Sequence, residues 1–365
     1  MPLPPLYGHE ALRSRLARAI ASGRLPQALL LEGPRQVGKQ RLGLWIAQTL
    51  LCQREEGRGE PCGSCRSCRL VVGLSHPDLH WFFPVEVSRK GADADKQVEL
   101  VEEALAEELE RRRARPLYQA PSGLASHGIA SVRLLLRRLA LTPAMGGMKV
   151  FLIGDAERLV PQVGAEQAAN ALLKALEEPP HDTQFILTAA DPEALLPTIL
   201  SRVVRVRMQR VPDSVVASFV QNEIGSRQPG SPALASVASA DGCPGRLIAP
   251  DPDGPGERSG GGGGGGGSGS EALLRAARAK PLARYAFALA QKPFEARGAF
   301  SDLLDGLLER LRAQARAGGT AGRKGEMAGL VRAISQVMEA RELAQGNVNP
   351  QLLAAVLIER LSRSS

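Results

Sequence analysis

The stretch ALLLEGPRQVGKQ, residues 28–40, constrains the fold of this chain more than any other. A short apolar run leads into a loop that contains Gly33 and Gly38, and an amphipathic helical pattern follows at 41–52. A strand, a glycine-rich loop and a helix in this order are typical of a phosphate-binding loop, to which Lys39 adds a positive charge. The stretch therefore predicts an α/β nucleotide-type module with a parallel sheet, and the alternative is a glycine turn without a ligand.

Two positions that magnesium chemistry requires carry unsuitable residues. The phosphate-loop pattern ends in Ser or Thr, whose hydroxyl completes the magnesium shell, but this chain has Gln40. An acidic pair is expected after the apolar run KVFLI, 149–153. If the metal-organising Asp belongs directly after this run, Gly154 has replaced it, and Asp155 stands at the following, water-activating position. We therefore expect a degenerate magnesium site and weakened hydrolysis, while ATP binding stays open.

Strand and helix patterns alternate over residues 1–210 and predict a parallel α/β module. The strands are expected at 28–31, 149–153 and 184–190, and the helices at 8–22, 41–52, 96–117, 131–141 and 164–180. A small helical unit is expected at 211–250. The stretch 251–270 contains an unbroken glycine run and predicts a flexible linker. Residues 271–365 show only helical patterns, which indicates a separate all-α domain.

Four of the five cysteines fall within one short segment, 52–68. They are Cys52, Cys62, Cys65 and Cys68, spaced C-x9-C-x2-C-x2-C. Four thiolates suit tetrahedral zinc, and no open ligand position is apparent. The spacing therefore predicts a structural zinc insert. A redox C-x-x-C site is the alternative, although one pair would suffice for it.

Composition and hydropathy bound the class of protein. The net charge of +8 permits contact with nucleic acid but is common among other proteins too. No stretch reaches the about 18 to 20 apolar residues that a membrane-spanning helix needs. The N-terminal sequence MPLPPLYGHE also lacks the pattern of a signal peptide. We expect a cytoplasmic protein without membrane contact.

The assembled motifs resemble one family over nearly the whole chain. The segments GRLPQALLLEGPRQVGK, HPDL, ANALLKALEEPP, LPTILSRVV, GCPGR and NVNPQLL, together with the four-cysteine insert, are similar to the delta-prime subunits of the bacterial DNA polymerase III clamp loader. The resemblance implies an AAA+ module, a helical lid at 211–250 and an α-helical collar at 271–365 that joins five subunits. The charged helix at 96–117 and the glycine linker do not match the family pattern.

The resemblance also implies roles for single residues. Ser201 and Arg202 match a Ser-Arg-Cys element whose arginine reaches into the ATP site of the adjacent motor subunit, with Val203 in place of the cysteine. Arg246 matches the lid arginine that approaches the nucleotide. Ala189 stands where motor subunits carry a polar sensor residue. The four cysteines match the family's zinc module.

The favoured hypothesis is a non-hydrolysing clamp-loader subunit that forms a hetero-pentamer with gamma/tau and delta subunits. It would supply Arg202 in trans and help load the sliding clamp on primer-template DNA. The isolated chain is not expected to catalyse a reaction, although it would belong to a DNA-directed DNA polymerase holoenzyme. Two alternatives stay open, a weak ATPase motor subunit and a free-standing zinc nucleic-acid-binding protein.

Overall fold

The described residues form two compact units, one up to residue 248 and one from residue 266. The computed structural model describes residues 3–54, 59–87, 93–118, 125–145, 147–159, 166–225, 237, 240–248, 266–291, 299–318, 324–345 and 348–364. Each unit has a buried apolar core of its own.

A five-stranded parallel sheet forms the centre of the first unit. Its strands, in spatial order, are β2 (Leu79–Phe82), β3 (Lys149–Ile153), β4 (Thr183–Ala189), β1 (Ala28–Glu32) and β5 (Val204–Arg207). The three inner strands are almost wholly buried, as is typical of parallel sheets, which confirms the three predicted strands. The edge strands escaped prediction because β2 is only four residues long and β5 alternates Val with Arg.

Helices connect and cover these strands. They are α1 (Glu10–Ala21), α2 (Lys39–Leu50), α3 (Arg66–Val72), α4 (Ala94–Ala114), α5 (Ile129–Leu139), α6 (Glu166–Glu177), α7 (Pro197–Leu200) and α8 (Asp213–Phe219), which continues into one π turn, Val220–Ile224. The five helices expected from periodicity are present. The charged helix α4 ends before the predicted residue 117, because Pro116 disfavours helical backbone at Arg115. Its narrow apolar face packs inward through Val98, Val101 and Leu105.

The described residues of the second unit form helices only. They are α9 (Gly266–Ala277), α10 (Pro281–Leu289), α11 (Ala299–Gly318), α12 (Lys324–Gln345) and α13 (Pro350–Ser364). Residues 266–270 of the expected linker are therefore helical, whereas 251–265 lie outside the described residues. Packing explains the difference, since Ser270 is 1% exposed and Gly269 lies against Leu303. Of all the helices that the structure describes, none is long and apolar enough to cross a membrane.

Candidate functional site

Three loops meet at the carboxyl edge of the sheet, the usual place for ligands in parallel α/β folds. Because β4 lies between β1 and β3, the phosphate loop and the turn after β3 both contact the end of β4. The backbone N–H of Gly33 donates to the carbonyl of Ala189 at 3.3 Å. The backbone N–H of Asp155 donates to Thr188 Oγ1 at 3.0 Å. The sheet order thus brings the two departures from the magnesium pattern to one place.

The carbonyl groups of the phosphate loop bind the loop's own lysine, Lys39. Lys39 is buried, and its Nζ donates to the carbonyl oxygens of Gly33 at 2.9 Å and Pro34 at 2.8 Å. Burial lowers the pKa of Lys39, while the carboxylates of Asp155 and Glu157 oppose that shift. A phosphate bound here would have to compete with two backbone carbonyls for the ammonium group.

Gln40 and Gly154 fit against each other. A Cβ built on Gly154 would lie 2.7 Å from Gln40 Nε2, so the carboxamide occupies the space that an aspartate side chain would enter. The same Nε2 donates to Asp155 Oδ2 at 3.3 Å. The two departures are therefore complementary in shape, and the remaining carboxylate is paired with an amide donor.

Two residues near this turn, the buried His127 and the half-buried Glu157, were not singled out by the sequence. His127 lies in the core, and its Nε2 is 2.7 Å from the carbonyl oxygen of Gly154. Burial lowers the pKa of His127 to about 4, so the neutral ring holds this turn by donating from Nε2. Glu157 Oε1 accepts from the backbone N–H of Ala190 at 3.0 Å, and burial raises the pKa of Glu157. Neither residue belongs to a local motif, so only the fold reveals them.

The segment around Arg246, residues 240–248, lies on the phosphate loop. The backbone N–H of Gly245 donates to the carbonyl oxygen of Gln36 at 3.1 Å, and a Cβ on Gly245 would lie 2.9 Å from that oxygen. Arg246 Nη1 contacts Asp241 Oδ2 at 3.4 Å. The structure thus places Arg246 beside the loop, and its approach to a nucleotide stays a prediction.

A substitution at Gly33 tests how closely the phosphate loop packs against the neighbouring backbone. A Cβ at residue 33 would lie 2.4 Å from the carbonyl oxygen of Met208, which belongs to the backbone. We expect Gly33→Ala to lower the free energy of unfolding by about 2 to 4 kcal/mol in urea titrations, because this backbone cannot move aside cheaply. Gly23→Ala is the control, since Gly23 has φ +66° but no atom within 4 Å. It should cost only about 1 kcal/mol for its left-handed backbone, and equal losses would contradict the steric argument.

Arg202 follows α7 at the surface, and its guanidinium is engaged within its own chain. Its Nε donates to Glu177 Oε1 at 3.0 Å, and its Nη2 contacts the same oxygen. Its Nη1 donates to the carbonyl oxygen of Thr198 at 2.8 Å and to Ser201 Oγ at 3.1 Å. None of these contacts reaches the phosphate loop, so Arg202 lies outside the nucleotide-type site of its own chain.

The four clustered cysteines converge as predicted. Among the described residues, their four Sγ atoms lie within 4.8 Å of one another. The Cys52–Cys65 and Cys62–Cys68 sulfurs are 4.0 Å and 3.9 Å apart. A tetrahedral zinc ion with Zn–S bonds of about 2.3 Å places its sulfurs about 3.8 Å apart, so this cluster fits zinc.

Backbone donors favour the thiolate form at Cys62, whereas burial raises the pKa of Cys68 in the absence of a metal ion. The backbone N–H of Cys65 donates to Cys62 Sγ at 3.3 Å, and that of Cys62 donates to Cys52 Sγ at 3.5 Å. Hydrogen bonds from Cys65 and Ser64 lower the pKa of Cys62 to about 5. Cys65 also caps α3, because its side chain accepts from the backbone N–H of Cys68. The fifth cysteine, Cys243, is buried outside the cluster.

Comparison with known proteins shows which family this chain matches. Residues 8–212, more than half of the chain, match the family described as DNA polymerase III, delta subunit. DNA polymerase III subunit delta' of Escherichia coli (strain K12) is 28% identical over 235 residues, 64% of this chain and 57% of that protein. The delta' subunit of Bacillus subtilis (strain 168) is 33% identical over 187 residues, 51% of this chain and 43% of that protein. DNA polymerase III subunit tau of Escherichia coli (strain K12) is 30% identical over 198 residues, 54% of this chain and 24% of tau. The chain thus spans about half the length of the delta' relatives that it matches.

Proposed function

The chain belongs to the DNA polymerase III delta-subunit family, and from this we propose that it is a delta'-type clamp-loader subunit that does not itself hydrolyse ATP. Its role is to complete the ATPase site of a neighbouring subunit by presenting Arg202. Arginine supplied in trans stabilises the charge that develops on the transferred phosphoryl group. The proposed partners are gamma/tau and delta subunits in a hetero-pentamer that places the sliding clamp on primer-template DNA in the cytoplasm.

One observation carries the non-hydrolysing part of this proposal, the contact between Gln40 and Gly154. A hydrolytic site needs a hydroxyl and a carboxylate around magnesium, and here a neutral amide fills the space of that carboxylate. A single replacement would not restore the site, because an aspartate at 154 would require the Gln40 side chain to move aside and residue 40 would still lack the hydroxyl. Ala189 beside the loop is a further departure from a motor site.

The four-cysteine cluster supports a structural zinc ion in the same subunit. Cys52, Cys62, Cys65 and Cys68 would hold the ion, which would cross-link α3 to the segment that follows α2. Gln48 of α2 donates to the carbonyl oxygen of Cys68 at 3.3 Å, so the cluster already lies against that helix.

We predict that the isolated chain shows no turnover of radiolabelled ATP above background, because its magnesium site is incomplete. The measurement compares the wild-type chain with Lys39→Ala, which removes the loop ammonium. The rates should be equal. A robust wild-type rate that Lys39→Ala abolishes would instead establish the weak motor alternative.

Membership of the complex is tested separately by size-exclusion chromatography with purified gamma/tau and delta subunits. We expect co-elution as one assembly. Failure to co-elute, together with retention on single-stranded DNA, would favour the free-standing zinc nucleic-acid-binding protein.

A further inference from the structure

The contacts of Arg202 leave little of its guanidinium for a partner. An arginine side chain has five N–H donors. One N–H on Nε and one on Nη2 point to Glu177, and both on Nη1 point to Thr198 and Ser201. One N–H on Nη2 is left over. Bidentate binding of a phosphate needs two parallel N–H groups on one edge of the guanidinium, and no such pair remains.

Glu177 occupies the edge that a phosphate would use. Its Oε1 accepts from Nε and Nη2 of Arg202, which is the bidentate edge, and these two residues are 25 positions apart in the chain. A carboxylate and a phosphate oxygen are both anionic acceptors that suit the same fork. The carboxylate and a phosphate cannot bind this edge of the guanidinium at the same time, because they need the same two N–H groups and their negative charges repel each other.

The location of Glu177 indicates that its carboxylate does not stabilise the helix in which it lies. It is the last residue of α6, where the helix dipole disfavours negative charge. Pro179 and Pro180 follow and cannot continue the helix, so the carboxylate stays beside the α7 turn. Its side chain is 45% exposed and that of Arg202 is 32% exposed, so the pair is solvated and can open readily.

We propose that Glu177 is a competitive latch for Arg202. The Glu177 carboxylate holds the guanidinium of Arg202 until a nucleotide phosphate on the neighbouring subunit displaces the carboxylate. This inference rests on the proposed arginine role. The latch keeps the guanidinium ordered and unavailable to stray anions before assembly. Because exposed ion pairs are weak, it opposes phosphate binding only modestly.

The test is pre-steady-state ATP hydrolysis by the reconstituted complex with clamp and primed DNA, measured over a range of ATP concentrations so that the apparent KM and the maximal rate (kcat) refer to the site that this subunit completes. With Glu177→Gln we expect KM for ATP to fall about two- to five-fold at unchanged kcat, since removing a competitor strengthens binding without altering the bound state. Glu177→Ala, which leaves no acceptor, should lower KM at least as much. Glu178→Gln is the matched control, because it removes the same charge from the next residue, which is also exposed.

The outcomes separate this inference from the proposed function. If Arg202→Ala lowers hydrolysis but Glu177→Gln behaves like Glu178→Gln, the latch is wrong and the arginine role stands. A fall in kcat with Glu177→Gln would also overturn the latch, because it would mean that the carboxylate aims the arginine. If Arg202→Ala changes nothing, both ideas fail. In a double variant with Arg202→Ala, the effect of Glu177→Gln should vanish.

Discussion

Replacing Arg202 with alanine should lower DNA-stimulated ATP hydrolysis on the order of 10³-fold at the neighbouring site that this subunit completes. The variant loses a cation that no other residue of the α7 turn can supply. Folding should be unaffected, because the contacts of Arg202 to Glu177, Thr198 and Ser201 are surface contacts. Single-turnover hydrolysis in the reconstituted complex measures the effect, since sites completed by other subunits would mask it in the steady state.

Arg207→Ala provides the matched control for this experiment. Arg207 lies at the end of β5, is exposed and carries the same charge, but the family's Ser-Arg-Cys element does not include it. We expect its variant to hydrolyse ATP like the wild type. An unchanged rate with Arg202→Ala, or equal losses in both variants, would rule out a specific role for Arg202.

Cys65→Ser should remove zinc from the protein and lower the free energy of unfolding of the four-cysteine module by more than about 3 kcal/mol. Serine can still cap α3, because its hydroxyl accepts from the backbone N–H of Cys68 as the thiol does. The substitution therefore isolates metal ligation from helix capping. Elemental analysis should find one zinc ion per wild-type chain and none in the variant, and hydrogen exchange should become fast at α3.

Cys243→Ala serves as the control because Cys243 is buried elsewhere in the first unit. It should keep one zinc ion per chain. A folded, metal-free wild-type protein, or full zinc retention by Cys65→Ser, would remove the four-thiolate site.

Much of the first unit could be predicted because its signals are local. The three inner strands are contiguous apolar runs, and the helices show their period within their own sequences. The phosphate loop and the four-cysteine spacing are equally local, since neighbouring residues determine the turns that position their side chains. Both edge strands escaped prediction, because β2 is only four residues long and β5 alternates Val with Arg. The start of α9 fell within the predicted linker, because packing overrides its low helix propensity.

The predictions of a phosphate-type loop, of unsuitable residues at two magnesium positions and of four converging thiols came from residue types within short segments. Which distant side chains meet became apparent only in the folded chain. It placed Gln40 of α2 against Gly154 because β4 pairs with both β1 and β3. It likewise placed Glu177 beside Arg202, because α6 ends next to α7. Such contacts depend on sheet order and helix packing, which fix distances between segments that no local pattern encodes.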